Sequence, residues 1–339
     1  MPSGYKFPIL DSSGNPTTTI VDMEDMFVPQ DLFLNSGIWT WGSNSLGQLG
    51  LNDATSRSSP VQVGSLTNWR LVSGGFNHTA AIKTDGTLWT WGRNNYGALG
   101  LNNTTTLSSP VQVGTLANWW QVAGGSYHTA AVKTDGTLWL WGYNNLGQLG
   151  LDNITNYSSP VQVGTLTNWR QVAGGNNHTA AIKTDGTLWL WGLNGNGQLG
   201  LNDTTNYSSP VQVGSLTNWR QVAGGDAHTA AVKTDGTLWT WGDNGYGALG
   251  LGNTTSRSSP VQVGSLTNWR QVAGGAAHTA AVKTDGTLWT WGRNLYGALG
   301  LNDTTNRSSP VQVGTLTNWR QVAGGSYHTA AVKTDGALS

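Results

Sequence analysis

The 339-residue chain contains no cysteine, so neither disulfide staples nor thiolate metal sites can hold it together, and its stability has to come from packing. Charge is scarce and balanced, with 17 Lys and Arg against 17 Asp and Glu. Such a chain has no overall field to steer nucleic acid or an anionic membrane towards it, and a nucleic-acid partner is not expected. No stretch reaches the roughly 20 apolar residues that a spanning helix needs. The start, Met1-Pro2-Ser3-Gly4-Tyr5-Lys6, has no basic segment leading into an apolar run. Membrane insertion and classical secretion are therefore not expected, and nothing reads as a helix.

Glycine and tryptophan, by contrast, are abundant, at 48 and 19 residues, a balance of tight turns and large apolar side chains that suits short strands. One unit recurs at a spacing of 50: Trp-Gly-x-Asn-x-x-Gly begins at Trp41, Trp91, Trp141, Trp191, Trp241 and Trp291, without insertion or deletion. A period of that size marks solenoids, propellers and arrays. Within a unit, residues 61–63, 69–73, 78–83 and 87–91 are rich in β-branched and aromatic side chains and are bounded by Gly, Pro or Asp-Gly. They predict four strands, with Thr84-Asp85-Gly86 as a hairpin turn. Four strands in one unit describe a propeller blade better than a turn of a solenoid.

The ends of the repeat region bear on closure. Five Thr-Asp-Gly turns are followed by Leu-Trp-Thr/Leu-Trp, but Thr334-Asp335-Gly336 is followed by Ala337-Leu338-Ser339, while another copy, Ile38-Trp39-Thr40-Trp41-Gly42, precedes the first unit. The expectation is an all-β propeller over residues 37–339, with six four-stranded blades closed by pairing of the N-terminal strand with the C-terminal blade. In that strand Trp39 and Trp41 point to one side and Ile38 and Thr40 to the other, so large residues should meet small ones between blades. Each well-buried Trp removes about 150–250 Å² from water, roughly 4–6 kcal/mol before entropy is counted.

Trp-Gly-x-Asn-x-x-Gly-Gln-Leu-Gly, Gly-Gly-x-x-His-Thr-Ala-Ala and Asp-Gly-Thr-Leu-Trp-Thr-Trp-Gly together resemble the regulator of chromosome condensation repeat family, over about residues 37–339. The resemblance implies a propeller and leaves the partner open, because function within that family is diverse. Its members typically have seven blades, so a seven-bladed ring is the alternative. Its best-known activity, guanine nucleotide exchange on a small GTPase, depends on a protruding wedge, and units of equal length supply none. The family also includes propellers that inhibit a partner enzyme with the loops of one face.

Comparing the six units separates what every blade needs from what is free to differ. One variable set follows Trp-Gly and includes Arg93, Tyr96, Tyr143, Asp243, Tyr246, Arg293 and Tyr296. A second lies between the Gly pair and His and includes Phe76, Tyr127, Asp226 and Tyr327. A third is Arg57 and its equivalents. In the family fold the first two sets resemble loops at one end of the propeller, which would place those residues around its mouth as a partner-binding ring for a protein or a surface glycan. Drift in loops on which nothing packs is the plain alternative. The recurrent histidines, from His78 to His328, read as structural hydrogen-bonding groups, because a six-fold ring would spread them apart and could not converge several on one ion. Lys-Thr-Asp-Gly reads as turn chemistry with a solvated charge pair. No catalytic residue, metal or cofactor is implied, and the chain is not expected to be an enzyme.

Residues 1–36 do not share the repeat. Their five acidic residues against Lys6 give −4, which leaves +4 for the rest of a chain of zero net charge. Acidic and apolar residues mix in the segment that holds Val21, Met23, Met26 and Phe27, and it is expected to order by docking as an anchoring arm. A short arm ahead of a repetitive, cysteine-free domain resembles the layout of tailed-bacteriophage virion proteins, in which the arm would bind other virion proteins and the propeller would face the host. The alternative is a cytoplasmic propeller that binds or inhibits a soluble protein.

Overall fold

The computed structural model describes residues 7–10, 16–21 and 37–334, and every element in them is a β-strand. β1 (Phe7–Leu10) and β2 (Pro16–Val21) pair antiparallel, with Phe7 opposite Val21. The sequence signals this hairpin with two β-rich runs around Asp11-Ser12-Ser13-Gly14-Asn15, which the reading of one docking segment passes over. Met23, Met26 and Phe27 lie outside the described residues.

In the repeat region β3 (Trp39–Gly42) pairs with β4 (Arg57–Gln62). Five four-stranded antiparallel sheets follow. Blade 1 consists of β5 (Trp69–Gly74), β6 (His78–Lys83), β7 (Leu88–Gly92) and β8 (Leu107–Gln112). Blade 2 has β9 (Trp119–Gly124), β10 (His128–Lys133), β11 (Leu138–Gly142) and β12 (Tyr157–Gln162). Blade 3 has β13 (Trp169–Gly174), β14 (His178–Lys183), β15 (Leu188–Gly192) and β16 (Tyr207–Gln212). Blade 4 has β17 (Trp219–Gly224), β18 (His228–Lys233), β19 (Leu238–Gly242) and β20 (Arg257–Gln262). Blade 5 has β21 (Trp269–Gly274), β22 (His278–Lys283), β23 (Leu288–Gly292) and β24 (Arg307–Gln312). β25 (Trp319–Gly324) and β26 (Thr329–Lys333) form a last two-stranded sheet. Successive blades meet through their first strands, so that strand is innermost and the fourth outermost.

The expected hairpin is present. Gly86 takes φ +80°, and Asp85 Oδ1 accepts the Thr87 N–H at 2.9 Å and its hydroxyl at 2.6 Å. The outer strand starts earlier than the apolar run suggested, at Arg57 and its equivalents, so the third variable set opens a strand.

The core lies between blades and follows the expected rule of large against small. Ala80, Ile82 and Leu88 of blade 1 receive Trp119, Val122, Ala131 and Trp141 of blade 2, and the same layer recurs at the following joints. Trp141 Nε1 donates to Ala98 O at 2.9 Å. Arg70 reaches across to the carbonyls of Trp119 and Trp120. The lysine of the hairpin is not solvated as expected. Lys133 is buried, with Nζ 3.7 Å from the Trp139 ring centroid and 4.8 Å from that of Trp119. The ring faces attract the ammonium, and its stem covers apolar surface.

The expected closure is not made. Among the described residues β3 is bonded to β4 alone and β26 to β25 alone. Trp39 and Trp41, expected to be buried between blades, are 55% and 57% exposed, whereas Trp91 is at 0%. Each half-blade is held by a different neighbour. The leading half sits on blade 1, where Trp91 Nε1 and Thr79 Oγ1 donate to Gln48 O at 3.0 and 2.8 Å, and where Ile38 and Val63 pack with Trp69, Ala81 and Trp91. The trailing half sits on blade 5, through His278 to Thr329 and Arg270 to the carbonyls of Trp319 and Arg320. Five complete blades and two halves amount to six, and the seven-bladed alternative finds no seventh set of strands among the described residues.

Candidate functional site

Two loops at one end of each blade carry the variable residues. In the loop after the third strand the motif Asn is fully buried: Asn94 Oδ1 accepts the Leu99 N–H at 2.9 Å, and Nδ2 donates to Asn103 O at 3.0 Å. This bracing holds the loop while leaving Arg93 and Tyr96 free to vary. The loop between the first two strands is held by Gly125 N donating to His128 O at 2.8 Å. The two loops are tied to each other by Arg93 N to Asn77 O at 2.8 Å and Tyr143 N to Tyr127 O at 2.9 Å. Both variable sets therefore stand at the same end, as expected. The third set joins them further out, since Gly142 lies opposite Tyr157.

The structure gathers five of the proposed residues into one cluster. Tyr96 and Tyr143 have ring centroids 4.8 Å apart, Tyr127 is 5.7 Å from Tyr96, and Phe76 is 6.2 Å from Tyr127. The Arg93 guanidinium sits 5.1 Å from the Tyr127 ring centroid. Phe76 and Tyr96 are exposed. At the other end of the arc Tyr296 packs on Tyr327 at 5.2 Å, and Arg293 lies 4.8 Å from the Tyr246 ring centroid.

Between these clusters most equivalent positions are polar, Asn176, Asn177, Asn196, Asp226 and Asp243 against Leu193 and Ala227. The first-strand loops are linked there, Ser126 N to Asn176 O, Asn176 N to Gly225 O and Asp226 N to Ala276 O, all at 3.2–3.3 Å. Although Asp226 is exposed overall, the surrounding loops desolvate its carboxyl and push its pKa up. The ring expected around the mouth is thus two aromatic and arginine-bearing sectors with a mainly polar one between them. The depression that Arg293, Tyr296 and Tyr327 line measures about 10 Å³, which makes this sector a surface more than a pocket. A groove of about 530 Å³ lies elsewhere, among Tyr207, Leu216, Trp219, Trp239 and Pro260, and none of the proposed residues lines it.

The histidines from His78 to His278 face the next blade, whereas His328, in the trailing half-blade, is exposed. His78 Nε2 lies 2.8 Å from Thr129 Oγ1, and a Cβ on Gly75 would stand 2.2 Å from the imidazole, so the glycine makes room for the ring. Among the described residues no group of His, Cys, Asp and Glu is placed to hold a metal ion.

Comparison with known proteins agrees with the repeat reading. The family model for the RCC1-like domain matches residues 114–339, and that for the regulator of chromosome condensation (RCC1) repeat matches residues 35–82 and 85–132. No curated protein matches the chain. Among solved structures, human WBSCR16 is similar at a TM-score of 0.79 and 26% identity, over 89% of this chain and 82% of that one. Yeast RCC1 (Prp20) bound to Kap60 gives 0.67 at 19% identity, over 97% of both chains. Prp20p from Saccharomyces cerevisiae, studied for its binding to Gsp1p and histones, gives 0.59 at 20%, over 93% and 97%. With its repeats, its strand order and the span of that match, the chain belongs to the RCC1-like domain family.

Proposed function

We propose that this chain is a non-enzymatic binding propeller whose loop face captures a protein partner. One observation carries the reading: in units otherwise nearly identical, the positions that differ bring Phe76, Arg93, Tyr96, Tyr127 and Tyr143 into contact at one end of the blades. Tyr and Arg are the usual anchors of interfaces, and a shallow face suits a macromolecule better than a small ligand. One fold neighbour, yeast Prp20, has protein partners in both of its structures, Kap60 in one and Gsp1p and histones in the other, which supports the class of ligand. Guanine nucleotide exchange is the weaker reading, because units of equal length raise no wedge from the face. In the attachment reading, residues 1–36 dock on a neighbouring virion protein and the face meets a host protein or glycan. That version rests on the layout of the chain and the −4 charge of the arm.

The test uses the full chain with a photo-cross-linking residue at Asn95, with and without Tyr96→Ala, Tyr246→Ala and Tyr296→Ala, alongside a glycan array. The expected result is a protein adduct lost in the triple variant, whose melting temperature stays within about 4 °C of the parent. An adduct that survives the three substitutions removes the face as the site. Array signal lost in the same variant moves the ligand to carbohydrate.

A further inference from the structure

A second cluster of like residues lies away from the loop face. The second residue of the first strand is Arg70, Arg170, Arg220, Arg270 or Arg320, with Trp120 in blade 2. Each of these six residues stands at a β-bulge. In blade 3 the pairing passes from Trp169 opposite Lys183 to Gln171 opposite Ile182 and leaves Arg170 between them, and the other first strands make the same step. A bulge re-aims the side chain of its extra residue. Trp169 and Val172 belong to the core between blades, whereas Arg170 is half-buried on the innermost strand.

The guanidinium groups step along this inner wall from blade to blade. Arg170 Nη2 donates to Trp219 O at 3.1 Å and Arg220 O at 3.0 Å, and Arg220 Nη2 donates to Trp269 O at 3.0 Å and Arg270 O at 2.7 Å. Arg270 Nη2 reaches Trp319 O at 3.2 Å and Arg320 O at 2.6 Å. Arg70 makes the same pair of bonds, with its Cζ 5.0 Å from the Trp120 ring centroid. At Arg70, Arg170 and Arg270 the carbonyls engage Nη2, which leaves the two protons of Nη1 for an incoming acceptor.

No group of opposite sign balances the row. The six first strands contain no acidic residue. Among the described residues no carboxylate lies within ion-pair distance of Arg70, Arg170, Arg270 or Arg320. Burial and then Arg220 lower the pKa of Arg170, and burial, then Arg320 and Arg220, lower that of Arg270. A chain of zero net charge thus concentrates five positive charges on one wall.

We infer that this row binds a compact polyanion, a small molecule carrying several phosphate groups, through Arg70, Arg170, Arg220, Arg270 and Arg320. Guanidinium forks take phosphate oxygens two at a time, and forks already anchored to strands lose little freedom on binding. A phosphate group brings about 1.5–2 negative charges in a few atoms, so two or three of them match five arginines. The row lies where the first strands begin and the aromatic loops lie where they end, so this inference and the loop-face reading fail separately.

The test is calorimetric titration of tripolyphosphate into the full chain at low and moderate salt, with inorganic phosphate alongside. The expected result is one site per chain, at least about tenfold tighter for tripolyphosphate than for inorganic phosphate and weakened by salt. Arg270→Gln should weaken binding about tenfold. Because that substitution also removes two anchoring bonds, Trp120→Arg is the second variant: it supplies blade 2 with the arginine of the other first strands and should tighten binding severalfold. No binding, equal affinity for the two anions, or no gain in Trp120→Arg would overturn the inference. Binding that appears only when Asp22→Asn, Glu24→Gln and Asp25→Asn are combined would overturn it as well, and would make the chain's own acidic segment the occupant.

Discussion

His128 Nε2 lies 3.0 Å from Thr179 Oγ1 on the next blade, and a third atom fixes the direction of that bond. The Thr179 hydroxyl donates its one proton to Gln148 O at 2.8 Å, so the imidazole has to be the donor to Thr179. Nε2 therefore carries the proton, and Nδ1, buried without a partner, is bare. A second proton there would place a charge in a dry joint with nothing to accept it.

Acid should therefore loosen the arc joint by joint. Burial depresses His78, His178 and His278 from 6.5 to about 4, and burial together with neighbouring histidines takes His128 and His228 to about 3. Because these folded-state values lie below that of the unfolded chain, the unfolded state takes up protons first. The stabilisation is complete above about pH 6.5 and is lost as pH falls from there towards 4 and 3. Each buried imidazole contributes a slope of up to about 1.4 kcal/mol per pH unit within that window. Melting temperatures recorded from pH 7.5 to pH 4.5 should fall steadily below 6.5, and a flat profile would contradict the neutral tautomer.

Two glycines separate backbone strain from lost space. Gly100 at φ +72° and Gly114 at φ +61° both occupy the left-handed region, but a Cβ on Gly100 would lie 2.7 Å from Trp141 Nε1, while one on Gly114 would meet nothing within 4 Å. Gly114→Ala should cost the backbone term alone, about 1–2 kcal/mol. Gly100→Ala adds overpacking against a rigid indole and should cost roughly 1–3 kcal/mol more. Urea unfolding of the two variants measures the difference directly, and equal losses would mean that the indole shifts freely.

Much of this was legible because the repeats are a built-in comparison. The Trp-Gly-x-Asn motif announced itself by recurrence, and its buried Asn94 explains why it recurs. Period-two alternation placed Trp141 against the small side chains of the preceding blade. Closure is expected because strand complementarity can be read from sequence, and the pairings among the described residues do not include it. Lys133 was misread. Its charge is visible in the sequence, but the two indoles that cover it come from Trp119 and Trp139, brought beside it only by strand pairing. In the candidate site, the resemblance to the repeat family implied the shared end of the loops, whereas the grouping into two aromatic sectors is a consequence of which blades are neighbours.

The first blade carries a natural defect that supplies a test of the joints. Gln221 bridges to the next blade with Nε2 donating to Val272 O at 3.2 Å and Oε1 accepting the Val272 N–H at 3.0 Å. Gln121, Gln171 and Gln271 make the same pair of bonds. In blade 1 the position is Leu71, which has no group to offer Val122. A buried backbone amide left without a partner costs about 1–3 kcal/mol, and a neutral hydrogen bond is worth about 0.5–1.5 kcal/mol net. Gln221→Leu should therefore lower stability by about 1–3 kcal/mol, whereas Leu71→Gln, which loses some apolar contact but completes the ladder, should raise it by up to about 1 kcal/mol. Opposite signs in urea unfolding are the expected outcome. If both substitutions destabilise, Leu71 is worth more to the core between blades 1 and 2 than the missing pair of bonds.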